Sequence, residues 1–394
     1  MNPARVAEDP AVRVAGLLAL AAFLLFLISG RSVDLLGSTP RMGLVLAWGA
    51  VAAAFWITRR PSIVVAYLVL GGLLLRWVEL PDAGRGPSDV LAAIDEALEV
   101  WFGGGNPYDH DYLRTRPPGQ PMPYPPGALL LHLPGQLLGG LPGIQATQLA
   151  LAGVTMASLA WLGARLGWVL GLPALALYAG APNLVLLATD GSNDTGTGAL
   201  LLLAVLALAW AIDRGADPAG IAFAGMVAAF ALSTKQLALP IGLALVVYLA
   251  RTAGWRPAGR YLLAAGALLL LISIPFLLQG PVTYVAGLLS FLGVHDDVYG
   301  WNIWAFGQGL GIAPWEAGPA AILNVASSLG ALGALVLLPL RSMAGAVLAG
   351  VVVLLVMMLT ARWTTYAYFA LLAPLVLALP ALAAWDAGRR SAPA

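Results

Sequence analysis

The sequence predicts an all-α polytopic membrane protein, a single domain over residues 1–394 with about twelve transmembrane helices. Three observations predict it. Hydrophobic residues make up 60% of the chain and charged ones 10%, against roughly 25% charged in an average soluble domain. Mean hydropathy is +0.86. So few charges cannot cover a water-soluble fold of this size, and lipid is the solvent that suits the composition. Apolar stretches of spanning length recur along the chain. The arginines between them fall on alternate sides.

Taken in order, Arg5 and Arg13 are followed or flanked by an apolar run from Val14 to Ile28. The run is long for a signal-peptide core and no clean small-x-small cleavage site follows it. We read it as a retained first helix. Crossing a bilayer takes about 17–25 apolar residues. Stretches near that length lie at 11–29, 42–58, 62–80, 144–164, 168–188, 195–212, 219–234, 236–250, 261–278, 319–340, 343–360 and 365–385. The two that meet at Lys235 are short, and a re-entrant hairpin there is the alternative to two spans.

With the N-terminus in the cytoplasm, Arg59, Arg60, Arg165, Arg214, Arg251, Arg256, Arg260, Arg341, Arg389 and Arg390 fall inside. The outer side receives Arg31, Arg41, Arg85, Arg114, Arg116 and Arg362. Arg-rich short loops belong on the cytoplasmic side, and an even number of spans returns the C-terminal tail to the same side. Two long segments, 81–143 and 279–318, then both face outward. A protein with small inner loops and two large outer ones is expected to work at its outer face. No internal repeat or low-complexity linker divides the chain.

The chain has no cysteine, which excludes disulfides and thiolate chemistry. A net charge of +1 without a basic run gives no indication of nucleic-acid binding. No phosphate-binding glycine loop, His-Glu-x-x-His, Ser-x-x-Lys or Gly-x-Ser-x-Gly occurs in a fitting context, which argues against an ATP-driven pump or a common intramembrane hydrolase.

In the first long loop, residues 88–102 read as an amphipathic helix. Val90, Leu91, Ile94, Leu98, Trp101 and Phe102 share one face, while Asp89, Glu96 and Glu99 point elsewhere. Ser88 suits the N-cap and Asp89 the first turn. Gly103, Gly104 and Gly105 end it. Such a helix is expected to lie flat at the membrane interface, anchored by Trp101 and Phe102. Asn106-Pro107-Tyr108, then Asp109-His110-Asp111, then a proline-stiffened stretch to Tyr124-Pro125-Pro126 follow. Residues 127–138, interrupted by His132 and Pro134, read as a second interfacial helix.

An acid opening an amphipathic helix, then Gly-x-Asn-Pro-Tyr, then Tyr-Pro-Pro before an apolar run, resembles the first outer loop of GT-C superfamily membrane glycosyltransferases. The stretch, about 88–127, is most similar to the polyprenyl-phosphate-mannose-dependent mannosyltransferases of glycosyltransferase family 87. The chain departs from the commonest plan by two extra spans before this loop. The resemblance implies a GT-C-like helix bundle and an inverting transfer of a sugar, mannose first among candidates, to a glycolipid or glycan acceptor. The donor it implies is a polyprenyl-phosphate sugar, which suits an outward-facing enzyme without access to nucleotide sugars. It places the catalytic aspartate at Asp89, as the base that deprotonates an acceptor hydroxyl; as an unaided residue Asp89 would simply stabilise its helix.

Lys235, the only lysine, lies between two apolar runs. A cation in a span costs about 2.5–3.5 kcal/mol on insertion scales. It needs an anionic partner or a path to the interface, and it reads either as a donor-phosphate ligand or as a residue snorkelling to headgroups. Arg362, in ARWTTYAY at another outer helix end, is the second phosphate candidate, or an outer-surface anchor. Asp190, Asn193 and Asp194, in TDGSNDTGTG, read as hydroxyl ligands for sugar or acceptor, or as helix caps. Tyr108, Tyr124, His295 and Trp301 complete the expected sugar- or acceptor-binding set. Tyr299, Trp301, Trp304 and Trp315 could stack on a sugar or hold a prenyl chain, or form an interfacial aromatic belt. No cofactor is required by this chemistry. Asp109-His110-Asp111 and His295, Asp296, Asp297 are the groups a divalent metal would use, with solvated loop acids as the plainer reading. The expected partners are the lipid-linked donor, a lipid or glycan acceptor and membrane lipid, in a bacterial plasma membrane to which the high Ala, Gly and Leu content is suited. The alternative is a multi-pass transporter or lipid flippase, built around mid-membrane charges such as Lys235.

Overall fold

Apolar residues with no Asp, Glu or Lys between them leave the backbone one way to satisfy its amides in lipid, which is the helix. The computed structural model describes residues 9–29, 39–82, 84–290, 298–311 and 317–391, and they are overwhelmingly helical. The helices are α1 (Pro10–Ile28), α2 (Thr39–Thr58), α3 (Pro61–Glu79), α4 (Val90–Phe102), α5 (Gly127–Leu166), α6 (Trp168–Gly180), α7 (Pro182–Leu187) and α8 (Asp194–Asp213). They continue with α9 (Pro218–Thr234), α10 (Leu239–Thr252), α11 (Trp255–Gln279), α12 (Pro281–Leu289), α13 (Ile303–Gly309), α14 (Ala317–Leu337), α15 (Met343–Thr360) and α16 (Tyr368–Ser391). Local signals set several starts. Asp9 caps α1 by accepting from Ala11 N at 2.9 Å, with Pro10 at the first helical position. Ser342 accepts from Gly345 N to start α15.

Eight of the described helices are long and apolar enough to cross a membrane: α1, α2, α3, α5, α8, α11, α15 and α16. The chain is an all-α polytopic membrane protein. The other expected stretches form shorter apolar helices of 10–17 residues, at 168–180, 218–234, 236–252 and 321–337. Proline explains one of them: Pro182 restarts the chain as α7, dividing the expected 168–188 stretch. Outer helices carry exposed leucines, such as Leu263 (76% exposed) and Leu278 (82%) on α11, which is sensible only against lipid. α8 is the most buried of the eight and packs against α5, α9 and α16.

The 40-residue α5 is two arms. Gly139 and Gly140 leave helical geometry, and Gly140 takes φ 59°, which costs a glycine little. The arms 127–138 and 141–166 then fold back on each other. Gly135 and Gly143 touch backbone to backbone, and His132 Nε2 meets Gln148 Nε2 at 2.6 Å across the pair. The expected short helix at 127–138 and the expected span at 144–164 are these two arms.

Two expectations for α4 change. The helix begins at Val90, so Asp89 sits at the cap position with no side-chain cap bond, and Ser88 Oγ reaches only Val90 N at 3.4 Å. Its apolar face is also taken up by protein. Val90, Leu91, Ile94 and Leu98 are buried with Tyr108, Tyr112, Met122, Leu129 and Phe276, and Trp101 rests on Phe276 with ring centroids 5.4 Å apart. Of the expected anchors only Phe102 stays exposed. The loop's own hydrophobic residues compete for that face and win.

Since a side chain at Gly143 would collide with the Gly135 carbonyl, Gly143→Val should open the α5 hairpin and destabilise the protein by about 1–3 kcal/mol or more. Thermal unfolding in detergent, compared with Gly153→Ala, which meets only Leu73 at 3.5 Å, checks this.

Candidate functional site

The first loop is fixed onto α4 by charge. Glu96 accepts from Leu113 N at 3.0 Å and Arg114 N at 2.9 Å. Burial works against the Glu96 carboxylate, but these two amides, with His110 and the Arg114 charge, together hold its pKa below the ordinary value. Arg114 pairs with Asp95 and, at 2.8 Å, with Glu99. Thr115 Oγ1 donates to Tyr112 O at 2.8 Å, and Tyr112 N donates to Gln120 O at 3.1 Å. The loop thus locked delivers Arg116 to the start of α4, where its backbone N–H donates to Asp89 Oδ2. The other Asp89 oxygen, Oδ1, accepts no hydrogen bond among the described residues.

The same helix start is bound to the turn before α8. Ser88 N donates to Asp190 O at 2.8 Å and Leu91 N to Gly191 O at 3.0 Å. Gly191 has φ +89° and lies so close that a Cβ there would be 2.7 Å from Ser88 O, so only glycine fits. This brings Asp190 beside Asp89. Asp190 is buried, which pushes its carboxyl up to about 6 against the opposing Ser192 amide.

Lys235 arrives from the interior side. α9 stops because Lys235 turns extended, φ −159° and ψ 127°, before a short 3-10 turn at Gln236–Ala238 leads into α10. Its Nζ donates to Asp194 Oδ2 at 2.7 Å and to Asn193 Oδ1 at 3.3 Å. It also lies 4.7 Å from the Tyr368 ring centroid and 5.8 Å from that of Tyr124. Lys235 is 5% exposed, so it does not snorkel; it has the anionic partner its position demanded. Asn193 and Asp194 occupy the start of α8, but neither side chain caps it. Both face the lysine, and Asn193 Nδ2 also donates to Thr234 O at 3.1 Å.

These groups line one cavity of about 320 Å³ at one end of the bundle, with Asp89, Arg116, Tyr124, Asp190, Asp194 and Lys235 in its wall. The volume falls in the range of ligand pockets, roughly 300–1,000 Å³. Burial and the nearby Tyr368, Asp194, Asp89 and Asp190 push the Tyr124 phenol well up, so it stays protonated. Asp194 Oδ1 and Ser192 Oγ are buried without a hydrogen-bond partner. Buried polar atoms call for one, and a hydroxyl-bearing ligand would supply it. Tyr299 and Trp363 stack at 4.6 Å and form a rim, held by a parallel two-residue pairing of β1 (Tyr299–Gly300) with β2 (Trp363–Thr364).

Asp89, Lys235, Tyr124 and Asp194 are therefore brought together, with Asn193 directly behind the lysine. Tyr108 is elsewhere. It is buried under the loop, its hydroxyl donating to Tyr124 O at 2.8 Å, packed on Phe276 and Tyr284. Trp301 is 67% exposed and meets Phe369 edge-on rather than lining the cavity. Trp304 donates its indole N–H to Thr360 O at 2.9 Å. Arg362 is not in the cavity wall; its carbonyl accepts from Tyr299 N and Asn302 Nδ2. Arg116 takes the place expected of it, as the second cation in the wall, its guanidinium donating to Gly86 O at 2.7 Å. Nothing in the sequence marks Arg116, since a loop arginine is common. Asp109 and Asp111 are exposed, and His110 Nε2 lies 3.5 Å from Glu96. His295, Asp296, Asp297 and Trp315 lie outside the described residues. Among the described residues no group of three His, Asp or Glu side chains is gathered as a metal would need.

Removing one member of the buried pair should cost more than removing both. Lys235→Met is expected to destabilise by about 3–5 kcal/mol, with Lys235→Met/Asp194→Asn recovering most of it; thermal unfolding of the two variants measures the difference. Asp190 gives a pH dependence. Its folded pKa of about 6 lies above the ordinary 3.8, so the folded state holds a proton that the unfolded chain has released. Its contribution to stability is lost as pH rises from about 4 to about 6 and stays lost above. A stability–pH profile in which Asp190→Asn fails to remove that loss would refute the assignment. No protein-family model matches the chain, and no curated protein matches it.

Proposed function

We propose that the protein is an inverting glycosyltransferase that moves a sugar, mannose by the resemblance of its first loop, from a polyprenyl-phosphate donor to a glycolipid or glycan acceptor. One observation carries the reading: Asp89, the residue that resemblance marks as the base, shares a cavity with the lone lysine of the chain. A carboxylate with one uncommitted oxygen and a cation set into the same wall are the two groups a single displacement needs.

In this reading Asp89 Oδ1 accepts the proton of the acceptor hydroxyl as its oxygen bonds to the anomeric carbon. The bond from that carbon to the phosphate oxygen breaks, and the polyprenyl phosphate leaves with the electron pair. One displacement inverts the anomeric centre. Lys235 and Arg116 face the developing phosphate charge. Lys235 is shared with Asp194, so the ion pair also fixes where the cation stands. Tyr299 and Trp363 offer flat faces to a sugar ring, and the unpartnered Asp194 Oδ1 and Ser192 Oγ offer polar contacts to its hydroxyls.

Sidedness supports the reading. Arg341 and Arg389 share a cavity with residues at the ends of α8 and α10, opposite to Lys235. Arg165 and Arg214 lie at that same end, beside Asp213 and Trp210. The rule that short arginine-rich turns stay inside then favours the outer face for the Asp89 cavity, where lipid-linked sugars are the available donors. A transporter or flippase would be better served by a site between the two ends of the bundle.

The test is transfer of radiolabelled mannose from polyprenyl-phosphate mannose to a membrane acceptor by the purified chain in vesicles. Asp89→Asn should lower the rate by about 10²-fold or more without changing the unfolding temperature. Undiminished transfer by a well-folded Asp89→Asn protein would remove Asp89 from the mechanism, and absence of transfer by the unaltered chain from any polyprenyl-phosphate sugar would remove the reading.

A further inference from the structure

A second cavity, about 430 Å³, is at the end of the bundle away from Asp89. It lies where four helix ends meet: the end of α8, the end of α10, the start of α15 and the end of α16. Its wall includes Tyr248, Thr252, Arg341, Asp386 and Arg389. The proposed transfer chemistry uses none of these side chains.

Among the described residues no ion pair joins Arg341 or Arg389 to Asp386. Asp386 is buried and turned away onto the start of α15, accepting from Met343 N and Ala344 N at 2.9 Å each. Those amides are the unpaired donors of a helix N-terminus, so the carboxylate charge is taken up there. Arg389 is set against a neighbour instead, with its guanidinium 4.9 Å from the Trp385 ring centroid, and it shares the wall with Tyr248. Arg341 is exposed, and among the described residues no hydrogen bond or ion pair engages its guanidinium. Thr252 donates its hydroxyl to Tyr248 O at 2.8 Å, which fixes that wall. The result is a hollow with one positioned arginine, one uncommitted arginine and hydroxyls from Tyr248 and Thr252.

We infer that this hollow binds a phosphate group, and that in the membrane the group is an anionic phospholipid headgroup. Guanidinium forks match phosphate oxygens in geometry and the hydroxyls can add hydrogen bonds to them, while two arginines disfavour the cationic choline of a zwitterionic headgroup. Arginine pockets between helix ends at one membrane face are the arrangement that recognises anionic lipid. The volume accommodates a headgroup, and the four helix ends it joins are far apart in sequence. A bound phosphate therefore bridges α8, α10, α15 and α16, and stabilises the bundle at the end opposite to the cavity that holds Asp89. The inference stands whether or not the chain transfers sugar.

The experiment uses the full chain in detergent, with native mass spectrometry after adding phosphatidylglycerol or phosphatidylcholine. Phosphatidylglycerol should be retained in preference, and Arg341→Gln should weaken that retention by about tenfold or more. Among the described residues Arg341 has no hydrogen-bond or ion-pair partner to lose, so its replacement leaves the unfolding temperature without lipid unchanged. Arg256→Gln removes an exposed arginine outside the hollow and should leave retention intact. Equal weakening by both variants would mean diffuse charge attraction and would overturn the site. In a second arm, glycerol 3-phosphate is titrated against thermal unfolding. If it stabilises the unaltered chain but not Arg341→Gln, while phosphatidylglycerol shows no preference, the phosphate site holds and its occupant is soluble. If neither phosphate responds to Arg341→Gln, the inference fails.

Discussion

Burying the Lys235 ammonium against the Asp194 carboxylate at 2.7 Å takes two charges out of water, at several kcal/mol for each ion. Contact between them does not offset that alone, and the surrounding structure supplies the rest. Asn193 adds a carbonyl oxygen to the ammonium, and the faces of Tyr124 and Tyr368 add two π-systems. These five residues come from four places: the first loop, the start of α8, the break between α9 and α10, and the start of α16. The requirement to solvate one lysine without water is what gathers these segments at one end of the bundle. The cavity is the space they leave.

Charge in that cavity is finely placed rather than abundant. Three carboxylates, Asp89, Asp190 and Asp194, face two cations, Lys235 and Arg116. Asp190 keeps its proton up to about pH 6, because burial disfavours its charged form. The wall is then balanced below that pH and carries one net negative charge above it. The carboxylate that stays accessible is Asp89, since Asp194 is committed to the lysine. Two acids of the same type thus do different work because their surroundings differ.

Much of this was legible before the structure, for identifiable reasons. Spans were visible because twenty-residue apolar runs have no other solvent, and Lys235 stood out because a lone cation inside them has a large cost. The positions of Asp89 and Tyr124 came from local motifs in a polar loop. What the sequence hid was competition and proximity. Trp101 and its neighbours on α4 read as membrane anchors because an apolar helical face does not say what covers it. The cover is Tyr108, Tyr112 and Met122 from the loop itself. Tyr108 reads as a ligand because its motif sits beside the site in sequence, while its ring belongs to that packing. Arg116 stayed invisible because its role depends on Glu96 and Arg114 locking a loop some twenty residues from Asp89, a fact about folding and not about pattern. The hinge at Gly139 and Gly140 was also missed, since paired glycines in an apolar stretch do not reveal that its two arms touch.

The parallel pairing of β1 and β2 is only two residues long, yet it is what holds the Tyr299–Trp363 stack over the cavity. Among the described residues it includes Tyr299 N to Arg362 O, Trp301 N to Thr364 O, and the Asn302 Nδ2 contact to the same Arg362 carbonyl. Each such bond contributes about 0.5–1.5 kcal/mol net, so the latch can be released for a few kcal/mol, far below the cost of parting two packed helices. Undoing that short strip of backbone would widen the rim of the cavity, while α8, α9 and α16 keep the charged wall in place behind it. Rim and wall are built from materials of different strength, and the rim is the weaker one.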